Sequence, residues 1–353
     1  MMLKMKKKIL IRADASSEIG AGHLMRMLAL GQLLSDSGYE IHFLTVLHDC
    51  SVLENLQDEG FNLHYLYKKE KWDASQDVCE FIKLALEIQA FWVVVDGYNF
   101  NSDYEQKIKK SGLKLLRVDD IPSIHYYADV ILNQNYGAEK MTYSTEPDTK
   151  ILAGVKHVLI RKEFLDANAS ISIEAPNNID SFHVLISLGG SVENSDVLNF
   201  KLIQGLSSIC EKNLFITLIK NNISSSVEKQ IRNIPVDIEI RTKSKNIAEE
   251  MAKADFAVVS AGSTMWELMF MRVPFCAVSL SEAQKNYLPV ISSDGLCIDL
   301  GWHEDLTSEL IGEKLGSFFN DKIYRKKMKS RIEQIIDRNR IGIDLIEILG
   351  ENI

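Results

Sequence analysis

Short apolar runs, rich in β-branched residues, alternate with segments of helical periodicity along most of the chain. In the first half these runs predict strands at 8–11, 41–46, 63–66, 92–95, 114–118 and 130–132, and a first helix over 24–34. The rhythm restarts at "FHVLISLGG" and continues through "LFITLIK", "VDIEIR", "FAVVSAG", "PFCAVSL" and "LCIDL". Continuous apolar strands between helices are typical of parallel sheets covered on both faces. The chain is therefore predicted to be an α/β protein.

A polar segment separates the two halves of this pattern. The stretch "DANASISIEAPNNIDS", 166–181, follows neither the strand nor the helix period and contains a Pro-Asn turn signal. The 353 residues are enough for two domains, each with its own core. We predict two Rossmann-like domains facing across a cleft, over 1–165 and 182–330. The linker is 166–181, and 331–353 is expected to form a C-terminal helix at the domain junction.

Charge and composition exclude several classes of protein. A net charge of -9 argues against nucleic-acid binding, which depends on neutralising phosphates with Lys and Arg. The basic run "KMKKK" is read as a solvated lead-in to the first strand, with a membrane-surface contact as the alternative. Arg12 and Asp14 interrupt the apolar start that a signal peptide requires, and no window approaches a membrane span. The protein is expected in the cytoplasm, without stable membrane association.

Cysteine and histidine usage gives no sign of a metal centre. The five cysteines are scattered without a CxxC pair, and the eight histidines form no HExxH or HxH cluster. We therefore expect free thiols, no disulfide framework, no metal and no other cofactor.

The loop "RADASSEIGAGH" joins the first strand to the first helix. Gly20 and Gly22 would let a ligand approach the backbone at the helix N-terminus. That position disfavours imidazolium, so it would keep His23 neutral and able to accept a proton. Asp14 and Ser16 lie close enough in the chain to orient the imidazole. A plain glycine turn with a solvent-facing histidine remains the alternative.

Polar residues also follow later strands of the first half, at the sheet edge where α/β proteins bind ligands. Helix N-caps and ordinary turn residues are the alternative interpretation. Amide side chains there would suit sugar hydroxyls or acetamido groups. These residues are Asp96, Tyr98 and Asn99 in "VVVDGYNF", Asp119 and Asp120 in "RVDDIP", and Asn133 to Asn135 in "LNQN".

Two loops of the second half are rich in small residues and could present backbone N–H groups to one anion, such as a diphosphate. Neither loop is a Walker motif or a GxGxxG fingerprint. Glu267 lies one turn into the following helix, where it would reach a ribose or simply favour the helix start. The loop residues are Gly189, Gly190 and Ser191 in "SLGGS", and Ser260, Ala261, Gly262, Ser263 and Thr264 in "SAGST".

Taken together, these motifs resemble one family. The segments "IRADASSEIGAGHLMRMLALGQLL", "VVVDGYNF", "LRVDDIP", "YADVILNQNYG", "GVKHVLIRKEF", "VLISLGGS" and "SAGSTMWELMFMRVPF" are similar to those of the UDP-2,4-diacetamido-2,4,6-trideoxy-β-L-altropyranose hydrolases of pseudaminic acid biosynthesis. They span roughly residues 8 to 290, in the family's order. The second half also resembles the nucleotide-binding half of the lipid-II-forming N-acetylglucosaminyltransferase. Both resemblances imply a glycosyltransferase-B-like fold.

The resemblance implies hydrolysis of a UDP-sugar substrate at its anomeric C–O bond, with water as the acceptor. His23, in the motif "GxGHxMR", would be the general base, and the segment from Ser260 to Glu267 would hold UDP. Where the family has Asn-Gln, this chain has Ala283 and Gln284, and Asn286 could replace the missing Asn. Asp14 as a second catalytic residue is our own hypothesis. The residues expected to bind the sugar are Ser16, Gly20, Gly22, Arg26, Asp96, Tyr98, Asn99, Asn133 and Asn135.

Three other functions are compatible with this pattern. A glycosyltransferase of the same fold would transfer the sugar to an acceptor other than water. A UDP-sugar 2-epimerase would need carboxylates at the sugar C2 position, which the sequence does not identify. A non-catalytic binding protein could lose His23, so the intact histidine motif argues against it.

Overall fold

The computed structural model describes residues 6–15, 21–46, 51–66, 72–170, 182–189, 195–209, 214–220, 223–241 and 247–351. The chain divides into two units by its internal contacts. The first comprises Met1–Lys162 together with Asn339–Ile353, and the second comprises Glu163–Arg338. The predicted linker, 166–181, lies largely outside the described residues.

The first half of the chain contains β1 (Lys8–Ala13), α1 (Gly22–Asp36), β2 (Glu40–Val46), α2 (Ser51–Asp58), β3 (Asn62–Leu66), α3 (Ala74–Glu87), β4 (Ala90–Asp96), α4 (Ser102–Lys110), β5 (Leu115–Val118), β6 (His125–Tyr126), β7 (Val130–Asn133), β8 (Ser144–Thr145) and β9 (Lys150–Ala153). Short 3-10 turns lie at Ala138–Lys140 and Val155–His157. Strand β9 has no counterpart among the predicted strands, because "KILA" is a short run that begins with a lysine.

The second half contains α5 (Lys162–Ser170), β10 (Phe182–Ser187), α6 (Ser195–Ile209), β11 (Leu214–Ile219), α7 (Ser225–Arg232), β12 (Asp237–Arg241), α8 (Ile247–Lys253), β13 (Phe256–Ser260), α9 (Thr264–Met271), β14 (Phe275–Ser279), α10 (Glu282–Ser293), β15 (Ile298–Trp302), α11 (Ser308–Asn320), α12 (Lys322–Ile335) and α13 (Ile343–Gly350). No helix in the described ranges is long and apolar enough to cross a membrane.

Each unit is built on one parallel sheet. The first sheet has the order β3-β2-β1-β4-β5-β7-β9 and the second has the order β12-β11-β10-β13-β14-β15. In both sheets the strand order reverses beside the first strand, which is the doubly wound Rossmann arrangement. The predicted α/β fold with two parallel Rossmann-like sheets is confirmed.

The first sheet is buried on both faces, as its continuous apolar strands require. Ile9 and Ile11 belong to one core cluster, and Leu10 between them belongs to another. Successive side chains of a strand point to opposite faces, so one short run supplies both cores. Strand β1 is therefore a fixed support for the loop that follows it.

The C-terminal end of the chain packs into the first unit. Leu345 and Leu349 of α13 join the same core as Ile9, and the Trp92 indole N–H donates to the carbonyl of Leu349 at 3.2 Å. The predicted C-terminal helix over 331–353 is interrupted, since α12 ends at Ile335 and α13 begins at Ile343. Gly342 precedes α13 with φ 73°, a left-handed conformation that a continuous helix cannot contain.

A glycine allows close packing of two helices in the second unit. A Cβ at Gly205 of α6 would lie 2.8 Å from the Ile311 Cβ and 2.8 Å from the Ser308 carbonyl oxygen, both on α11. A Cβ at Gly316, also on α11, would meet no atom within 4 Å. The two positions thus differ in available space but not in secondary structure.

We expect Gly205→Ala to lower the free energy of unfolding by about 2 kcal/mol, because the backbone oxygen at Ser308 cannot move without shifting α11. Gly316→Ala is the matched control, and it should be neutral or stabilise by up to about 1 kcal/mol through helix propensity. Denaturant unfolding of both variants measures the difference. Equal stabilities would contradict the close packing of these helices.

Candidate functional site

The polar residues of the first unit gather at one edge of its sheet. Asp14 follows β1, Asp96 ends β4, and Asp120 lies just beyond β5. His23 is the second residue of α1. Because the strands are parallel, their carboxyl ends share one edge, and β1 and β4 flank the point where the strand order reverses.

His23 and Asp96 form a buried pair. The His23 Nδ1 lies 2.8 Å from the Asp96 Oδ1, and Asp96 is 0% exposed. Burial alone would raise the pKa of Asp96, but Arg26 and His23 hold it far below its usual value. The ionised carboxylate can only accept, so this contact favours a hydrogen on Nδ1, whereas the Arg26 Nη2, which can only donate, lies 3.0 Å from the same nitrogen. The Asp96 contact is the shorter of the two, and in the tautomer that it favours the neutral imidazole has its lone pair on Nε2, the nitrogen that a general base needs.

Arg26 donates hydrogen bonds to the carboxylates of both Asp96 and Asp120. Its Nε donates to the Asp96 Oδ2 at 2.6 Å, and its Nη2 donates to the Asp96 Oδ1 at 2.5 Å. Its Nη1 donates to the Asp120 Oδ1 at 2.6 Å. The guanidinium is directed into buried carboxylates and fixes the carboxylate that contacts His23. Direct sugar binding by Arg26 stays a prediction.

Asp120 connects this network to more exposed groups. Its carboxylate accepts hydrogen bonds from the Tyr98 hydroxyl at 3.1 Å and from the Asn135 Nδ2 at 2.8 Å. The Tyr98 ring stands edge-on to the His23 imidazole, with centroids 4.8 Å apart, and Tyr98 is 58% exposed. Tyr98 and Asn135 thus have the accessibility expected of groups that touch a ligand.

Asn133 has a structural role. Its side chain is 0% exposed, its Nδ2 donates to the Asp120 carbonyl at 3.1 Å, and its Oδ1 accepts from the Asn135 N–H at 3.1 Å. These bonds engage the Asn133 amide inside the fold. Sugar contact by Asn133 stays a prediction. Asn133 shapes the turn that presents Asn135.

Asp14 faces the same cavity as His23 but does not orient it. The cavity is lined by Asp14, His23, Asp96, Gly97, Tyr98, Asn99 and Phe100. Arg12 Nη1 donates to the Asp14 Oδ1 at 2.6 Å, and the Val46 N–H donates to the same oxygen at 2.8 Å. Asp96, rather than Asp14, contacts the His23 imidazole, and the catalytic role of Asp14 stays a prediction. Asp14 supplies a second carboxylate to the lining of the cavity, beside Asp96.

Some expected residues of the first loop lie outside the described ranges, namely Ser16 and Gly20. Gly22 begins α1, and a Cβ there would meet no described atom within 4 Å. Asn99 lines the cavity.

One further group of the first unit, Asp77, was not among the predicted site residues. Asp77 on α3 pairs with Arg12, whose Nη2 donates to the Asp77 Oδ2 at 2.7 Å. An arginine inside an apolar strand was the available signal, since a buried cation requires a buried partner. The sequence could not identify that partner. Within the described residues, no cluster of three His, Cys, Asp or Glu side chains could hold a metal ion.

In the second unit, the two small-residue loops lie side by side. A Cβ at Gly189, whose φ is +84°, would lie 4.0 Å from the Ser260 Oγ, and one at Gly262 would lie 3.8 Å from it. Strands β10 and β13 are neighbours in the sheet, which explains the proximity of the loops. Gly190 and Ser191 lie outside the described residues.

Helices α9 and α10 complete this edge of the second sheet. Ser263 precedes α9, which begins at Thr264, and Glu267 is almost fully buried in its first turn. The Tyr287 hydroxyl donates to the carbonyl of Ala261. The Gln284 Oε1 accepts from the Leu280 N–H at 2.7 Å. The side-chain carbonyl of Gln284 therefore stabilises the segment that precedes α10.

No family model matches the chain. An uncharacterized protein of Methanocaldococcus jannaschii is 27% identical over 358 residues, covering 94% of this chain and 71% of the relative. The UDP-2,4-diacetamido-2,4,6-trideoxy-beta-L-altropyranose hydrolase of Campylobacter jejuni is 25% identical over 294 residues, covering 82% of this chain and 97% of the relative.

Solved structures agree over nearly the whole chain. MurG of Acinetobacter baumannii has a TM-score of 0.67 at 14% identity, covering 97% of this chain and 99% of its own. MnaA of S. aureus, solved with UDP, has a TM-score of 0.64 at 13% identity, covering 98% and 97%. Likenesses at this identity establish the fold, which is of the glycosyltransferase-B type.

The paired carboxylates make the stability of the first unit depend on Arg26. Burial would raise the pKa values of Asp96 and Asp120, but Arg26 holds both below their usual range. Carboxyls with lowered pKa values stabilise the fold above the pKa of the unfolded chain, and this contribution is lost as pH falls through the folded values.

We expect Arg26→Met to lower the free energy of unfolding by about 3 kcal/mol at neutral pH, because two buried carboxylates lose their cation. The loss should begin to shrink above about pH 4 and shrink further as pH falls, because burial raises the pKa values of these carboxyls once Arg26 is gone and they then take up protons. Arg340→Met is the control, since Arg340 forms an exposed pair with Asp344. Thermal unfolding against pH measures both, and a pH-independent loss in Arg26→Met would contradict the pairing.

Proposed function

We propose that this protein hydrolyses a UDP-linked 2,4-diacetamido-2,4,6-trideoxy sugar, of the kind named for the Campylobacter jejuni relative. Cleavage of the anomeric C–O bond of UDP-2,4-diacetamido-2,4,6-trideoxy-β-L-altropyranose would release UDP and 2,4-diacetamido-2,4,6-trideoxy-L-altrose. The observation that carries the proposal is the His23–Asp96 pair, at 2.8 Å, on a cavity at the carboxyl edge of the first sheet. A pathway role in pseudaminic acid biosynthesis would follow from that substrate.

In the proposed step, His23 Nε2 takes a proton from water as the water oxygen bonds to the anomeric carbon. The bond between that carbon and the diphosphate oxygen breaks, and its electron pair leaves with UDP. Asp96 stays ionised and stabilises the imidazolium that forms. A general base of this kind contributes about 10²- to 10⁴-fold.

Asp14 is the proposed second catalytic group. A sugar that loses a diphosphate develops positive charge at its ring, and a carboxylate nearby stabilises it. Burial would raise the pKa of Asp14, but Arg12 holds it below the usual value. Asp14 is therefore ionised at neutral pH and faces the cavity that His23 lines.

The nucleotide is assigned to the second unit. Backbone N–H groups around Gly189 and at the start of α9 suit a diphosphate, and they stabilise a departing anion without a metal. Glu267 is the proposed ribose partner, and Gln284 with Asn286 would complete the contacts. The neighbouring fold of MnaA, solved with UDP, supports a uridine nucleotide.

The direct test is incubation with the UDP-linked diacetamido sugar in the absence of any acceptor. NMR should show UDP and free sugar forming in equal amounts. Tight UDP binding without turnover would contradict hydrolysis and favour a glycosyltransferase, which needs an acceptor.

We expect His23→Asn to lower kcat at least about 10²-fold, because water loses its proton acceptor. The UDP dissociation constant should stay within about twofold, since the proposed nucleotide contacts lie in the second unit. His125→Asn is the matched control, because His125 is an exposed histidine of the first unit that bonds Ser144 and Glu146. A large loss of UDP affinity in His23→Asn would instead identify His23 as a phosphate ligand.

A further inference from the structure

A buried chain of charges runs from α3 to the cavity through β1. Arg12 is 0% exposed, and its guanidinium lies between Asp77 and Asp14. Its Nε donates to the Asp77 Oδ1 at 3.1 Å and its Nη2 donates to the Asp77 Oδ2 at 2.7 Å. Its Nη1 donates to the Asp14 Oδ1 at 2.6 Å. We call these three residues the Arg12 ladder.

Two further hydrogen bonds hold Asp77, at the α3 end of the Arg12 ladder. The Tyr104 hydroxyl donates to the Asp77 Oδ1 at 2.7 Å, and the Trp72 indole N–H donates to the Asp77 Oδ2 at 3.1 Å. Both oxygens of Asp77 are thus occupied twice. Asp77 is not among the residues that line the cavity, so it has no direct access to a ligand there.

At the cavity end of the Arg12 ladder, only one of the two Asp14 carboxylate oxygens accepts a hydrogen bond from a described residue. The hydrogen bonds that Asp14 accepts from Arg12, Thr45 and Val46 all end on Oδ1. Among the described residues no hydrogen bond reaches the Asp14 Oδ2. The Asp14 side chain keeps 18% of its surface exposed and lines the cavity with His23.

This asymmetry runs against the ordinary preference of arginine. A guanidinium and a carboxylate favour a two-bond fork, which would occupy both oxygens of Asp14. Here Asp77 occupies the Nε–Nη2 side of Arg12, and Asp14 receives a single bond from it. Arg12 thus makes two hydrogen bonds to Asp77 and one to Asp14.

We propose that Asp77 is a positioning residue. It accepts hydrogen bonds from the Arg12 Nε and Nη2, so that Arg12 bonds only one oxygen of Asp14 and the other Asp14 oxygen faces the ligand. An ionised carboxylate accepts and does not donate, so the group it recognises carries an N–H or O–H. An acylamino or hydroxyl substituent of the sugar has that character. The identity of this ligand rests on the proposed function.

A double-mutant cycle separates positioning from a general structural role. Asp77→Asn keeps the shape of the side chain but leaves it one acceptor oxygen. We therefore expect Arg12 to direct two N–H groups to Asp14, which would cover the Asp14 Oδ2. We expect kcat/KM to fall roughly tenfold in Asp77→Asn, the size of one hydrogen bond to a charged group. In the Asp14→Asn background the same change should cost less than about twofold, because the group on which it acts is already gone.

Asp73→Ala is the matched control for damage to α3. Asp73 caps the same helix, accepting from the Ser75 and Gln76 N–H groups, and does not bond Arg12. It should lower stability with kcat/KM within about twofold of wild type. An equal loss from Asp77→Asn in both Asp14 backgrounds would overturn the positioning role.

A second readout does not depend on turnover. Carbon-13 NMR of labelled aspartate carboxyls follows the titration of Asp14, assigned with Asp14→Asn. The pKa of Asp14 should fall further in Asp77→Asn, because the charge of Arg12 is no longer shared, and it should not move in Asp73→Ala. An unchanged Asp14 titration in Asp77→Asn overturns the proposal.

The two readouts distinguish two kinds of failure. A wild-type protein that does not turn over the diacetamido sugar contradicts the proposed function, and the NMR titration still decides the ladder. The titration needs only the single Asp77→Asn variant, so it decides the ladder even if the double variant does not fold. Thermal unfolding of Asp77→Asn checks that the first unit remains folded.

Discussion

The first unit depends on the requirement that a charge taken out of water must meet an opposite charge. Arg12 is 0% exposed and Arg26 is 8% exposed. Removing one partner from such a pair leaves a buried charge that costs several kcal/mol. Each arginine is therefore shared between two carboxylates, Asp77 with Asp14 and Asp96 with Asp120. The same pairing that makes burial tolerable also fixes the carboxylates at the cavity.

The parallel sheet brings residues that are distant in the sequence to one edge. Parallel strands deliver their carboxyl ends to one edge, so Asp14 and Asp96, 82 positions apart, line one cavity. Helix α1 starts at the same edge and carries His23 and Arg26 three residues apart, on one face of the helix. That spacing lets both side chains reach Asp96. The His23 imidazole and the carboxylate that pairs with it thus come from two elements beside the strand-order reversal.

Sequence patterns were sufficient for the fold and insufficient for the contacts between the polar side chains. Apolar runs identify the strands, and polar residues at their ends identify the sheet edge at which His23, Asp96 and Tyr98 lie together. The roles of Arg26 and Asn133 depend on which way a side chain turns from a known backbone position, which spacing does not encode. Asp77 was missed because its partner lies 65 positions away, on another element.

The central claim is that Asp96 holds His23 in the tautomer with hydrogen on Nδ1 and a lone pair on Nε2. Long-range proton–nitrogen NMR of histidine-labelled protein at about pH 8 reads this tautomer directly, with His23 assigned by its loss in His23→Asn. The account predicts a protonated Nδ1 and a bare Nε2 in the wild type, and loss of that preference in Asp96→Asn. A wild-type spectrum with the hydrogen on Nε2 would contradict it.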